Sequence, residues 1–162
     1  ENTDYKENTS LIKIYLLYGR IFMEYQMIGP ALALGFSCLG SAIGCGIAGM
    51  ASHGVMSHVE EGHGKLIGMS AAPSSQSIYG FILMLLMKAS VEAGNISAMS
   101  AIGIGFSAGL AIMFSAIYQG KCCASGIQAS AKKPDIYGKA WASIGIVESF
   151  ALFAFVFSLL LI

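Results

Sequence analysis

Of the nine acidic side chains in this 162-residue sequence, Glu148 alone stands deep inside an apolar run. It follows Tyr137 by eleven residues, roughly 16 Å along a helix that rises 1.5 Å per residue, which is close to the middle of a bilayer. An ionisable group at that depth costs at least about 2.5 to 3.5 kcal/mol on insertion scales, so it must be neutral, paired or bound to an ion. A protonated carboxyl that merely joins two helices would satisfy the same requirement, and stands as the structural alternative.

A second polar group interrupts another apolar run, in the stretch Ala71-Ala72-Pro73-Ser74-Ser75-Gln76-Ser77-Ile78-Tyr79. Pro73 has no N–H and crowds the preceding turn, which frees carbonyl groups upstream for another partner. Ser75, Gln76 and a carbonyl near Ala72 then offer hydroxyl, amide and backbone oxygens, while Glu148 offers the neutralising charge. Hard oxygen donors of this kind suit Na+. H+ needs the carboxylate alone, so the extra oxygens favour sodium without excluding the proton.

The elements that must hold these groups are helices in lipid. Charged residues make up 11% of the chain and hydrophobic ones 56%, against roughly 25% charged in soluble domains, and mean hydropathy is +0.70. That balance argues against a cytosolic enzyme, disorder or a collagen-like chain. With a net charge of +0 there is no basic surface for nucleic acid. Four apolar runs are long enough to span: Ile28 to Met50, Leu66 to Met87, Ile96 to Ile117 and Tyr137 to Ile162. The expected fold class is an all-α membrane protein with four transmembrane helices, arranged as two duplicated helical hairpins over residues 27–92 and 93–162. The duplication is read from Ser41-Ala42-Ile43 recurring as Ser115-Ala116-Ile117, and Gly64-Lys65 as Gly138-Lys139, at one offset. Residues 1–26, apolar in part but interrupted by Lys13, Arg20 and Glu24, read as an extension or a processed leader.

The segment after the third run carries Lys121, Lys132, Lys133 and Lys139 against Asp135, which marks it as cytoplasmic. The first loop, Ser52 to Lys65, then lies on the same side, and the connection Lys88 to Asn95 lies opposite with both termini. Lys6, Lys13 and Arg20 mildly oppose this orientation. Gly35, Gly40, Gly44, Gly46 and Gly49 in the first run, and Gly103, Gly105 and Gly109 in the third, allow close helix pairing or a crowded inner layer of identical helices. Cys38, Cys45, Cys122 and Cys123 read as free, buried thiols chosen for size. His53, His58 and His63, with Glu60 and Glu61, share no helical face at a spacing of five, so a solvated loop is favoured over a metal site. Tyr137 and Trp141 fit an interfacial aromatic belt.

Taken together, Pro73-Ser-Ser-Gln76-Ser-Ile-Tyr79-Gly80-Phe81, Gln119-Gly120-Lys121, Gly126-Ile127-Gln128, Ala131-Lys132-Lys133-Pro134 and Glu148-Ser149 resemble the ring-forming proteolipid of bacterial V-type rotary ATPases. That proteolipid is the duplicated four-helix relative of the smaller ring protein of ATP synthases, and the resemblance covers about Met27 to Ile162. In sodium-binding members a carboxylate, two glutamines, a hydroxyl and a backbone carbonyl hold the ion, and a tyrosine bonds the carboxylate. The matching positions are Glu148, Gln76, Gln119, Ser75, the Ala72 carbonyl and Tyr79. Ser75 stands where Thr is frequent and Ala72 where Leu is frequent; the hydroxyl and the backbone oxygen are kept.

The resemblance implies a non-catalytic subunit with no cofactor, carrying Na+ or H+ in a ring of identical copies. Implied partners are a stator subunit with an essential arginine, a central-stalk subunit at the cytoplasmic loops, and the lipid bilayer of a bacterial inner membrane. Gln119 falls at the polar edge of the third run, so the resemblance also requires the third helix to continue past Lys121. The competing class is a small tetraspan cation or drug/proton antiporter that uses the same glutamate; it calls for a dimer and an aromatic-lined cavity.

Overall fold

Apolar runs of small and branched residues fold as long helices because in lipid every backbone polar group must be paired within the segment. The computed structural model describes residues 11–17, 19 and 25–162, and the described residues form no strand. Residues 11–17 are helical; most of the remaining 1–26 extension lies outside the described residues. The main elements are α1 (Ile28–Met56), α2 (His63–Ser70), α3 (Ser75–Glu92), α4 (Ala98–Lys132) and α5 (Tyr137–Leu159). Single 3₁₀ turns at Ala72–Ser74 and Pro134–Ile136 introduce α3 and α5.

Among the described residues three segments are long and apolar enough to cross a membrane: Ile28–Met56, Ala98–Lys132 and Pro134–Leu159. The run expected as a span from Leu66 to Met87, with its helix disturbed at Pro73, is α2, a 3₁₀ turn and α3. Pro73 ends the first piece, since its ring cannot donate to the Met69 carbonyl. The Ser74 N–H pairs with the Ala71 carbonyl at 3.0 Å.

The third long helix extends beyond the end expected for the third run at Ile117 and continues past Lys121, as the family resemblance required. It runs 35 residues to Lys132, about 50 Å at 1.5 Å per residue, so Lys121 lies within the helix. Its ammonium sits 4.6 Å from the Tyr118 ring centroid on the exposed side of α4, the snorkelling that a lysine stem permits. The pattern that sustains the helix is buried Gly120, Cys123, Gly126, Ile127 and Ser130, spaced largely three and four apart. His53 is likewise in α1 and His63 opens α2, which shortens the first loop to residues 57–62. All three histidines are exposed, and among the described residues no group of three or more His, Cys, Asp or Glu could hold a metal. Lys88 and Glu92 belong to α3, where they pair at 3.8 Å. All four thiols are free, with Cys123 buried but Cys38 exposed, contrary to the expectation of uniform burial.

α1 and α4 lie against each other along most of their length. A Cβ on Gly44 or Gly120 would collide with the facing backbone, and Gly29 and Gly105 form a second pair of the same kind. Gly35, Gly46, Gly49 and Gly103 face open space instead. α5 packs on α4, and α3 on α1, with Gly80 abutting the Ser37 side chain. The Pro73 turn is wedged between α1 and α4. One apolar cluster of Leu83, Met87, Ile112 and Ala151 sits on one side of the Glu148 level. Another, of Met69, Cys123, Ile127 and Ile144, sits on the other.

Candidate functional site

The break at Pro73 puts Ser75, Gln76 and Tyr79 in the first turn and a half of α3, where spacings of three and four align side chains on one face. α4 brings Gln119 to the same depth because the helix does not stop at Ile117. α5 brings Glu148. Between the two apolar clusters, these segments place their polar atoms in one connected network.

Glu148 Oε1 accepts hydrogen bonds from Ser75 Oγ at 2.6 Å and from the Tyr79 hydroxyl at 2.9 Å. Its Oε2 accepts from Gln119 Nε2 at 3.2 Å, and the same amide group reaches the Ile144 carbonyl at 3.4 Å. Gln119 Oε1 accepts from Gln76 Nε2 at 2.7 Å. Ser75 Oγ also lies 3.1 Å from the Ala72 carbonyl and 3.2 Å from Gln76 Oε1. A hydroxyl has one proton, so these acceptors compete for it, and the shortest contact is with the carboxylate. Gln76 and Gln119 are fully buried at 0% exposure, while Glu148 is half-buried. The Tyr79 ring stacks on Phe155 with centroids 6.1 Å apart, which fixes the phenol against the carboxylate.

The six residues named from the sequence and its family resemblance lie in one place, and the Ala72 carbonyl accepts from the Ser75 N–H that closes the 3₁₀ turn, with the Ser75 hydroxyl also 3.1 Å away. The network joins a carboxylate, two side-chain amides, a hydroxyl and a backbone carbonyl, with the Gln119 nitrogen toward Glu148 and its oxygen toward Gln76. Hard oxygens of these kinds are the ones that suit a hard cation, and three donors reach the carboxylate. One participant was not read as part of the site. Ser115, noticed as a repeat marker, donates from α4 to the Val147 carbonyl at 2.7 Å; its place one helical turn before Gln119 is the signal that could have found it.

A separate cavity of about 510 Å³ lies at the end of the bundle bearing the 57–62 loop, lined by Glu60, Glu61, Lys65, Pro134 and Tyr137 among others. It is far along α5 from Glu148. Lys65 approaches the Tyr137 ring there, 5.7 Å from its centroid, and Tyr137 packs edge-on against Trp141.

The family model described as the C subunit of ATP synthase matches twice, over residues 28–87 and 102–161. The two segments are displaced by 74 residues, the offset that relates Ser41 to Ser115 and Gly64 to Gly138. Subunit K of the V-type sodium ATPase of Enterococcus hirae is 31% identical over 150 residues, covering 91% of this chain and 96% of the relative. Subunit K of the A-type ATP synthase of Methanocaldococcus jannaschii is 35% identical over 135 residues, covering 83% of this chain and 60% of the relative. The antiporter reading gains no support from these similarities. The doubled match and the offset of the repeats together place the chain in the ATP synthase C-type proteolipid family, as a duplicated member of the multi-pass membrane kind.

Proposed function

We propose that this chain is an ion-translocating rotor-ring subunit of a V-type rotary ATPase, and that it carries Na+ at Glu148. The observation that carries the reading is one connected network in which Ser75, Tyr79 and Gln119 donate to a half-buried carboxylate, with Gln76 bonded to Gln119 and the Ala72 carbonyl beside Ser75. The name of the Enterococcus relative, a sodium ATPase subunit, supports sodium as the ion. The protein is non-catalytic; hydrolysis or synthesis of ATP belongs to the head with which the ring is coupled.

In this reading the broken segment α2–3₁₀–α3 crosses as a fourth span, so that residues 27–92 and 93–162 form two hairpins. The break is where the ion sits. Sodium entering the network takes the oxygens of Glu148, Gln76, Gln119, Ser75 and Ala72. Ser75 and Tyr79 keep donating to the carboxylate while the Ser75 lone pairs turn to the ion. Neutralised, Glu148 passes lipid; empty and charged, it is held back by the desolvation penalty. Loading thus gates rotation. A stator subunit with an arginine discharges the site, and identical copies side by side form the ring.

The loop end carries Lys65, Lys132, Lys133 and Lys139, which supports a cytoplasmic location for it and a C-terminus on the opposite side. The cavity at that end is the surface proposed for the central stalk. The test is ATP-driven sodium accumulation in membrane vesicles bearing the whole complex. Glu148→Gln should abolish it, and accumulation that survives this substitution would refute the reading.

A further inference from the structure

We infer that Ser115 is a positioning residue for Glu148: its hydroxyl, bonded across the helix interface to the Val147 carbonyl, sets the axial register of α5 and with it the distance from Gln119 to the carboxylate. The inference rests on the reading of Glu148 as the ion-carrying group.

Serines within helices ordinarily bond back to a carbonyl three or four residues earlier, and in this chain most do. Ser37 bonds Ala33, Ser107 bonds Gly103, Ser130 bonds Gly126 and Ser158 bonds Ala154; Ser143 and Ser149 behave alike. Among the described residues, two serine hydroxyls reach a different α-helix. Ser75 meets Glu148 itself, and Ser115 meets the residue immediately before it. Ser115 is 7% exposed, so its bond is sheltered from water.

Ser115 and Gln119, four apart on α4, meet Val147 and Ile144, three apart on the antiparallel α5. The result is a two-rung ladder with Glu148 at its edge. The Gln119 rung, at 3.4 Å, is the weaker, and its amide also serves the carboxylate. Without Ser115 the α4–α5 ladder keeps only the Gln119 rung, whose amide is shared with the carboxylate.

The first repeat supplies a comparison. At the offset of 74 residues Ser41 occupies the place of Ser115, and Pro73 that of Val147. Ser41 is equally sheltered, at 5% exposure, yet its hydroxyl has no partner. The bracket is present where a carboxylate follows and absent where the chain breaks.

The experiment measures, in membranes carrying the full chain, the sodium concentration that half-protects Glu148 from dicyclohexylcarbodiimide. The substitutions are Ser115→Ala, Ser115→Thr and Ser41→Ala. An interhelical hydrogen bond of about 0.6 kcal/mol corresponds to roughly threefold. Ser115→Ala should therefore need about three times the sodium or more, Ser115→Thr should return near wild type, and Ser41→Ala should leave the value unchanged. Equal half-protection in Ser115→Ala and wild type, or an equal shift in Ser41→Ala, would overturn the inference. If sodium protects none of the proteins, wild type included, the sodium reading fails separately. Ser115 is then judged on the pH at which labelling falls by half: a shift in Ser115→Ala alone supports it, and identical profiles overturn it.

Discussion

At the scale of single residues, the energetic question is how a carboxylate is tolerated at this depth. Three donors reach its two oxygens, and two fully buried glutamines are chained to it through one another. Removing a partner from such a chain leaves a buried polar group unpaired, at a cost of about 1 to 3 kcal/mol. Gln119→Ala and Gln76→Ala should therefore each weaken sodium binding about tenfold or more, read as the sodium concentration that half-saturates the purified protein. Tyr79→Phe removes one donor and no ion ligand, so its effect should be smaller, about threefold; an effect larger than that of Gln119→Ala would mean the tyrosine coordinates directly. Glu148 was legible because depth alone makes a charge conspicuous, and Ser75 and Gln76 because Pro73 stood beside them. Gln119 and Tyr79 were not legible from residue type: a glutamine followed by Gly-Lys looks like the exit from a membrane, and only family resemblance placed it inside.

At the scale of elements, the site depends on one helix that breaks and another that does not. Pro73→Ala restores an N–H toward the Met69 carbonyl and the option of a continuous α2–α3 helix, in which the Ala72 carbonyl, now paired with the Ser75 N–H in the 3₁₀ turn, moves to the Gln76 N–H. Sodium binding should fall severalfold while the protein stays folded; unchanged binding would show that the break is dispensable. The continuation of α4 to Lys132 was masked by Lys121 and by a run of Ser, Cys and Gly. Yet the small buried positions keep a helical period throughout. A composition filter sees the polar residues, whereas packing reads the spacing. Glycine burial was also only half legible. Gly44 and Gly120 abut backbone while Gly46 and Gly103 face open space, and nothing in a single residue's type separates the two groups. Gly44→Val and Gly120→Val force atoms into a facing main chain, an overpacking of about 1 to 3 kcal/mol or more. Each should lower the thermal unfolding midpoint by several degrees. Gly46→Ala in the monomeric protein should lower it little.

At the scale of the whole molecule, the two halves that match one family model, residues 28–87 and 102–161, have diverged from each other. The second keeps an unbroken final helix with a carboxylate, and the first keeps the break and supplies most of the other oxygens. The outward faces of Gly35, Gly46, Gly49 and Gly103 remain uncovered in the single chain, as do large side chains such as Phe106, Phe150 and Phe157. Lipid and neighbouring copies have to cover them. Native mass spectrometry of the detergent-extracted protein should therefore show a large ring, and a dimer would return the antiporter to consideration. The central claim, a sodium ion neutralising Glu148 within this oxygen set, is tested most directly by carbodiimide labelling of Glu148 at fixed pH with and without sodium. Millimolar sodium should slow the labelling, and Glu148→Gln should abolish it. Labelling that sodium leaves unchanged, and that only a rise in pH suppresses, would contradict the claim and identify the proton as the ion carried.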